Sequence, residues 1–292
     1  MYNISAKDIK VRDPYIVTDR ENGKYYLFGT TDTDPWEAPG EGFLVYESLD
    51  LENWSEPRWA FRPAPDFWAE KNFWAPEVHQ FNGSWYIFAS FKADGVCRGT
   101  QILKSDCVTG PYEPISDGPV TPGDWECLDG TLHVDENGKP WMVFCHEWVQ
   151  IRDGEVCAMP LSDDLRYAIG EPVTLFRGSD APWQAWEDAF VTDGPFMFRG
   201  KDGKLKMIWS SFGKHDYAVG VATSLSGTIL GPWEQSVEPV VENGGHGMIF
   251  DDLEGNTFLS IHSPNQTPYE RMKFVPFEKN DTDSELKKLI KK

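Results

Sequence analysis

The chain has 292 residues, long for an average domain but ordinary for a single all-β one, and 40% of them are hydrophobic and 14% aromatic. Its 27 lysines and arginines face 47 aspartates and glutamates, a net charge of −20, which is the wrong sign for following a phosphate backbone or an anionic membrane surface. No apolar run approaches the ~20 residues of a membrane span, so neither nucleic acid nor a membrane is expected as a partner.

The chain opens Met1-Tyr2-Asn3-Ile4, with Asp8 ahead of any apolar run, a pattern without a signal peptide that points to a cytoplasmic location. Arg12-Asp13-Pro14-Tyr15-Ile16 then sets a carboxylate before a short apolar run, Asn22-Gly23 marks a hairpin turn, and strands are expected at 24–29 and 42–48. The plan returns at Glu77 in Trp74-Ala75-Pro76-Glu77-Val78, Asp129 in Leu128-Asp129-Gly130-Thr131, Asp193 in Thr192-Asp193-Gly194-Pro195 and His246 in Gly245-His246-Gly247. The steps between these anchors are 64, 52, 64 and 53 residues. Glycine turns at Asn82-Gly83, Asn137-Gly138, Asp202-Gly203 and Glu254-Gly255 follow them. Further strands are predicted at 84–89, 100–105, 140–144, 156–161, 205–210, 218–223, 256–261 and 271–277. The five cysteines, Cys97, Cys107, Cys127, Cys145 and Cys157, are odd in number and lack Cys-x-x-Cys spacing, so buried free thiols are expected rather than disulfides or a zinc site. At 279–292 the composition changes, and Leu286, Leu289 and Ile290 are spaced for a turn or two of helix at a surface end.

Repeats of this length, made only of strands and each too small to bury its own apolar face, predict a five-bladed β-propeller spanning 1–292 as a single domain, with blades starting near 13, 77, 129, 193 and 246. Asp13, Glu77, Asp129, Asp193 and His246 should then meet at one mouth of the central channel. An aspartate before a strand often just caps its own backbone. That explains one such residue more easily than five in register.

The ordered set Arg-Asp-Pro, Trp-Ala-Pro-Glu-Val, Leu-Asp-Gly-Thr-Leu, Asp-Gly-Pro-Phe and Gly-His-Gly resembles glycoside hydrolase family 43, over a stretch from about Asp8 to Phe277. The resemblance implies inverting hydrolysis of arabinofuranosides, xylosides or, less often, galactosides in oligosaccharides. It also implies Asp13 as general base, Asp193 as general acid, and Asp129 as the carboxylate that orients the acid and raises its pKa. Three carboxylates suit the chemistry, because inversion needs an ionised base on one face of the sugar and a protonated acid on the other. A third negative charge beside the acid keeps it protonated. The family's acid is usually Glu, whereas this chain has the shorter Asp193, which leaves Glu187, Asp188 and Glu147 as alternative donors. Trp74 is the first choice to stack on sugar, ahead of Trp36, Trp68, Trp125 and Trp186, while Trp85, Trp141 and Trp209 should pack between blades. Glu77 and Arg271 are expected to bind substrate, and His246 to help hold calcium or another cation on the axis, mostly through water. No organic cofactor is implied, since no phosphate-binding loop, Rossmann fingerprint or His-Glu-x-x-His motif occurs. Two other readings are a related five-bladed carbohydrate enzyme, of fructoside hydrolase or mannoside phosphorylase type, and a sugar-binding propeller without turnover. The fructoside hydrolase type would want an Asn-Asp-Pro opening and the phosphorylase type a basic cluster for phosphate; neither is present. The propeller without turnover rests only on Asp193 standing where Glu is usual.

Overall fold

Short apolar strands separated by glycine turns pair into five antiparallel sheets, the blades of a propeller, in the computed structural model, which describes residues 2–279. The innermost strands are Arg12–Asp19, Lys71–Phe81, Cys127–Val134, Asp193–Arg199 and Gly245–Asp251. Each pairs with the strand after its glycine turn: Lys24–Thr30, Ser84–Ala93, Pro140–His146, Leu205–Gly213 and Thr257–Ser263. The helix expected in the tail lies outside the described residues.

Large apolar side chains fill the space between neighbouring blades. Phe43, Phe61, Phe73 and Phe91 form one aromatic cluster, with the rings of Phe73 and Phe91 4.9 Å apart, and Trp183, Trp209 and Phe176 form another. Trp209 is fully buried, and Trp85 and Trp141 pack partly buried against these clusters, as their strand positions predict. The ring closes without strand exchange. The N-terminal strand Tyr2–Ser5 joins the outer edge of the first blade, while Ser260 donates to the carbonyl of Pro14 (2.9 Å), Thr18 to that of Asp251 (2.8 Å), and Arg12 pairs with the buried Glu270 (2.8 Å).

Every innermost strand carries a bulge at its start. Arg12 and Tyr15 face Thr30 and Phe28, so three steps on one strand match two on the other; Trp74/Glu77, Leu128/Thr131, Asp193/Phe196 and Gly245/Met248 repeat this. The first residue inside each bulge is left-handed: Asp13 (φ 53°), Ala75 (48°), Asp129 (58°), Gly194 (50°) and His246 (44°). Such backbone costs of order 1 kcal/mol or more at a non-glycine residue, so something must hold it. The equivalent positions are therefore 13, 75, 129, 194 and 246, which corrects the predicted alignment at two blades. Glu77 lies two residues past its bulge and Asp193 one residue before.

Hydrogen bonds between blades supply the hold. The bulge amide of one blade is accepted by a side chain on the second strand of the blade before it, the one paired opposite the residue that precedes that blade's own bulge: Ala75 by Thr30 (2.8 Å), Asp129 by Ser90 (2.9 Å), His246 by Ser210 (2.9 Å) and Asp13 by His262 (3.2 Å). Ser90→Ala should strand the buried Asp129 amide, at a cost of about 2 kcal/mol. Calorimetry should then record a melting temperature lowered by roughly 4–8 °C; an unchanged value would mean the amide finds another acceptor.

Candidate active site

The bulges sort side chains by depth. The residues just before them, Arg12, Trp74, Leu128 and Asp193, line a cleft of about 390 Å³ at the mouth of the channel, together with the bulge residues Asp13, Asp129 and His246. Two residues past the bulge, Tyr15, Glu77 and Met248 turn instead to a small axial cavity of about 10 Å³, room for a single water.

Asp13 is gripped on both oxygens. Thr30 donates to its Oδ2 (2.7 Å), and Nδ1 of His246 lies 3.3 Å from its Oδ1. Burial pushes its pKa up, but His246, Arg12 and the Thr30 hydroxyl together bring it below the usual carboxylate value. Asp129 sits across the same imidazole, with Oδ2 3.5 Å from Nδ1 of His246 and accepting from the Gly194 amide (2.9 Å). Burial, reinforced by the charges of Asp193 and Asp13, pushes its pKa up to about 7, against His246 and the Gly194 amide. Asp193 accepts from the Tyr217 hydroxyl (2.8 Å) and is likewise raised, by burial first and then by Asp13, against His246 and Tyr217. One cleft thus holds an ionised carboxylate and two of raised pKa that compete for a proton. His246, despite burial, is raised by Asp13, Asp129 and Asp193. His262 stays neutral, its pKa lowered by burial and Arg12 to about 3; its Nδ1 accepts the Asp13 amide, which assigns the proton to Nε2, 3.1 Å from Asn265 Oδ1. Gly194 admits no side chain, since a Cβ would lie 2.7 Å from Cδ2 of His246.

Aromatic rings form two walls. Trp74, whose indole donates to the carbonyl of Pro35 (2.7 Å), meets the half-exposed Trp36 edge to face at 5.2 Å, and the Arg12 guanidinium lies 5.0 Å from the Trp36 ring. Opposite them, Trp148 and Trp186 meet at 5.4 Å, and Trp186 reaches Phe212 at 5.0 Å. Trp148 carried no sequence signal of its own, and neither did Tyr217. Trp68 and Trp125 are not in the cleft: Trp68 packs among phenylalanines and Trp125 stacks on His146 at 4.2 Å. Glu147 is in it, ion-paired with the buried Arg98, which also bonds Asn72 (3.2 Å) and lies 4.3 Å from the Trp74 ring. Burial pushes the Glu147 carboxyl up, Arg98 pulls it down, and Asp193 adds to the rise.

Several expected site residues lie elsewhere. Glu77 faces the axis and pairs with Nε2 of His79 (3.2 Å), because its place two residues past the bulge turns it away from the cleft. Arg271 bonds the carbonyls of Lys7, Pro268 and Glu270, tying the N-terminal segment to the fifth blade; the cleft's arginine is Arg12. Glu187 and Asp188 are exposed and do not line the cleft. Of the cysteines, Cys127, Cys145 and Cys157 are buried free thiols, but Cys97 is only half-buried and Cys107 exposed.

His246 is the one candidate for holding a cation. Its Nδ1 is committed to Asp13 and Asp129, and among the described residues no group of three His, Cys, Asp or Glu side chains is placed to hold a metal ion. Calcium takes six to eight oxygen ligands, a set that Asp13, Asp129 and a positively charged His246 do not supply.

A sequence model of glycosyl hydrolases family 43 matches residues 6–277. An endo-arabinase structure from Bacteroides thetaiotaomicron superposes with a TM-score of 0.86 at 40% identity, covering 95% of this chain and 97% of that one. An extracellular exo-α-(1→5)-L-arabinofuranosidase of Cellvibrio japonicus is 26% identical over 277 residues, 86% of this chain and 73% of that protein. An extracellular endo-α-(1→5)-L-arabinanase of Bacillus subtilis is 24% identical over 157 residues, 50% of this chain and 46% of that protein. The two curated relatives are named extracellular, which overturns the cytoplasmic location expected from the opening residues.

Proposed function

Because this chain belongs to glycosyl hydrolase family 43, a family of inverting glycosidases acting on plant polysaccharides, we propose that its cleft hydrolyses α-L-arabinofuranosyl linkages, with Asp13 as base, Asp193 as acid and Asp129 as the modulator of that acid. The observation that carries the roles is the asymmetry of the three carboxylates. Asp13, held ionised by His246, Arg12 and Thr30, can take a proton from the attacking water. Asp129 is buried and Asp193 partly so, and both have raised pKa values, so that one proton is retained near neutral pH, available to the departing oxygen. The aromatic walls offer faces to the apolar sides of sugar rings.

The choice of arabinofuranosyl linkages follows the names of the relatives, two of which act on α-(1→5)-L-arabinose chains. A panel of aryl α-L-arabinofuranosides, β-D-xylosides and galactosides, with proton NMR of the first-released anomer, tests sugar and stereochemistry together. Arabinofuranoside cleavage releasing the β anomer is expected, and turnover confined to xylosides or galactosides would overturn the assignment. The modulator role makes its own prediction. Asp129→Asn removes a negative charge whose presence disfavours ionisation of Asp193, so the alkaline limb of the kcat/KM profile should move to lower pH and kcat should fall. An unmoved limb would mean that Asp129 does not govern the acid.

A further inference from the structure

The hydrogen-bonded ring of bulges has one exception. Thr30, Ser90, Ser210 and His262 each accept the bulge amide of the next blade, and the equivalent residue of the third blade, paired opposite Leu128 as Thr30 is opposite Arg12, is Cys145. A thiol is a weak acceptor. The amide that it would receive, that of Gly194, donates instead to Oδ2 of Asp129 (2.9 Å). The contrast with the first blade is direct. There the Thr30 hydroxyl accepts the Ala75 amide and donates to Asp13, so a hydroxyl stands between the carboxylate and the next blade. In the third blade Asp129 bonds the next blade itself, at the residue that follows Asp193.

From this exception we infer that Cys145 is a positioning residue, whose lack of a hydroxyl leaves the Gly194 amide to Asp129 and so locks Asp129 to the strand that carries Asp193. The consequence is a fixed spacing between the two carboxylates that share a proton. Cys145 is fully buried and does not line the cleft; its sulfur is within reach of the Thr192 side chain and of the charges of Asp129 and Asp193, so it acts on the catalytic carboxylates from behind rather than on the substrate. The inference rests on the role given above to Asp129, and the test separates the two.

Cys145→Ser supplies the acceptor found in the other blades, and Cys145→Thr copies Thr30. Selective glycine labelling with ¹⁵N reports the Gly194 amide directly. In both variants its proton resonance should move upfield as the charge-assisted bond to Asp129 is lost, and kcat should fall by about tenfold or more with KM little changed, the mark of a misplaced catalytic group. Cys145→Ala removes sulfur without adding an acceptor, and should leave the Gly194 resonance in place. An unmoved resonance in both the Ser and Thr variants, or an Ala variant that moves it as Ser does, would overturn the hand-over. A moved resonance with unchanged kcat would uphold the hand-over and overturn the role of Asp129 in catalysis, and with it the positioning role of Cys145.

Discussion

Asp13→Asn is expected to lower kcat by roughly 100- to 10,000-fold while KM changes little, because a general base acts in the transition state rather than in binding. The substitution is close to isosteric, and its amide oxygen can still accept from the Thr30 hydroxyl, so the bulge and its hydrogen bond to His262 should persist. What is lost is the charge that His246, Arg12 and Thr30 hold in place. Steady-state kinetics on an aryl arabinofuranoside, with a thermal scan to confirm the fold, give the answer. A variant keeping more than about a tenth of wild-type kcat would assign the base elsewhere, since general-base assistance is worth at least roughly 100-fold.

The propeller was legible in the sequence because its signals are local. Glycine turns such as Asn22-Gly23 and Asn82-Gly83 adopt the left-handed backbone that hairpins need, and the strands predicted beside them begin at the expected residues 24, 84, 140 and 205. Asp13, Asp129 and His246 were found because they occupy the bulge itself. Aligning the repeats on acidic side chains failed at the second and fourth blades, where the bulge residue is Ala75 or Gly194 and carries no acid. A better guide was the residue that follows: Pro14, Pro76, Gly130, Pro195 and Gly247 stand one place after the left-handed residue in every blade. Aligned on those, Glu77 falls in the row of Tyr15 and Met248 and Asp193 in the row of Arg12 and Trp74, where the structure has them. Trp148, Tyr217 and Asn265 could not be found this way, because they reach the cleft from the start of a short helix, the start of a strand and a loop, whose paths depend on packing between blades rather than on local pattern.

Asp193→Ala is expected to separate natural from activated substrates, and that separation decides between Asp193 and Glu147 as proton donor. Both line the cleft, Glu147 buried and Asp193 partly so, and desolvation pushes both carboxyls up. They differ in their partners. Asp193 meets a neutral hydroxyl, Tyr217, and shares the neighbourhood of Asp129, whereas Glu147 is paired with a guanidinium that favours its charged form. A carboxylate paired with arginine keeps its proton less well near neutral pH, so Asp193 is the proposed donor despite the methylene it lacks. A sugar alkoxide cannot leave unprotonated, so Asp193→Ala should cut hydrolysis of arabino-oligosaccharides by roughly 100- to 10,000-fold, and that of an aryl glycoside with a good phenolate leaving group far less. The control is Glu147→Gln rather than Glu147→Ala, since removing the side chain would strand the buried Arg98 at a cost of about 3–5 kcal/mol and confuse folding with chemistry. Glu147→Gln keeps an acceptor for Arg98 while abolishing acidity; the charge of the pair is lost as well, so a thermal scan accompanies the kinetics. Its losses should be small and alike on both substrates, and a selective defect there, with equal losses for Asp193→Ala, would transfer the acid to Glu147.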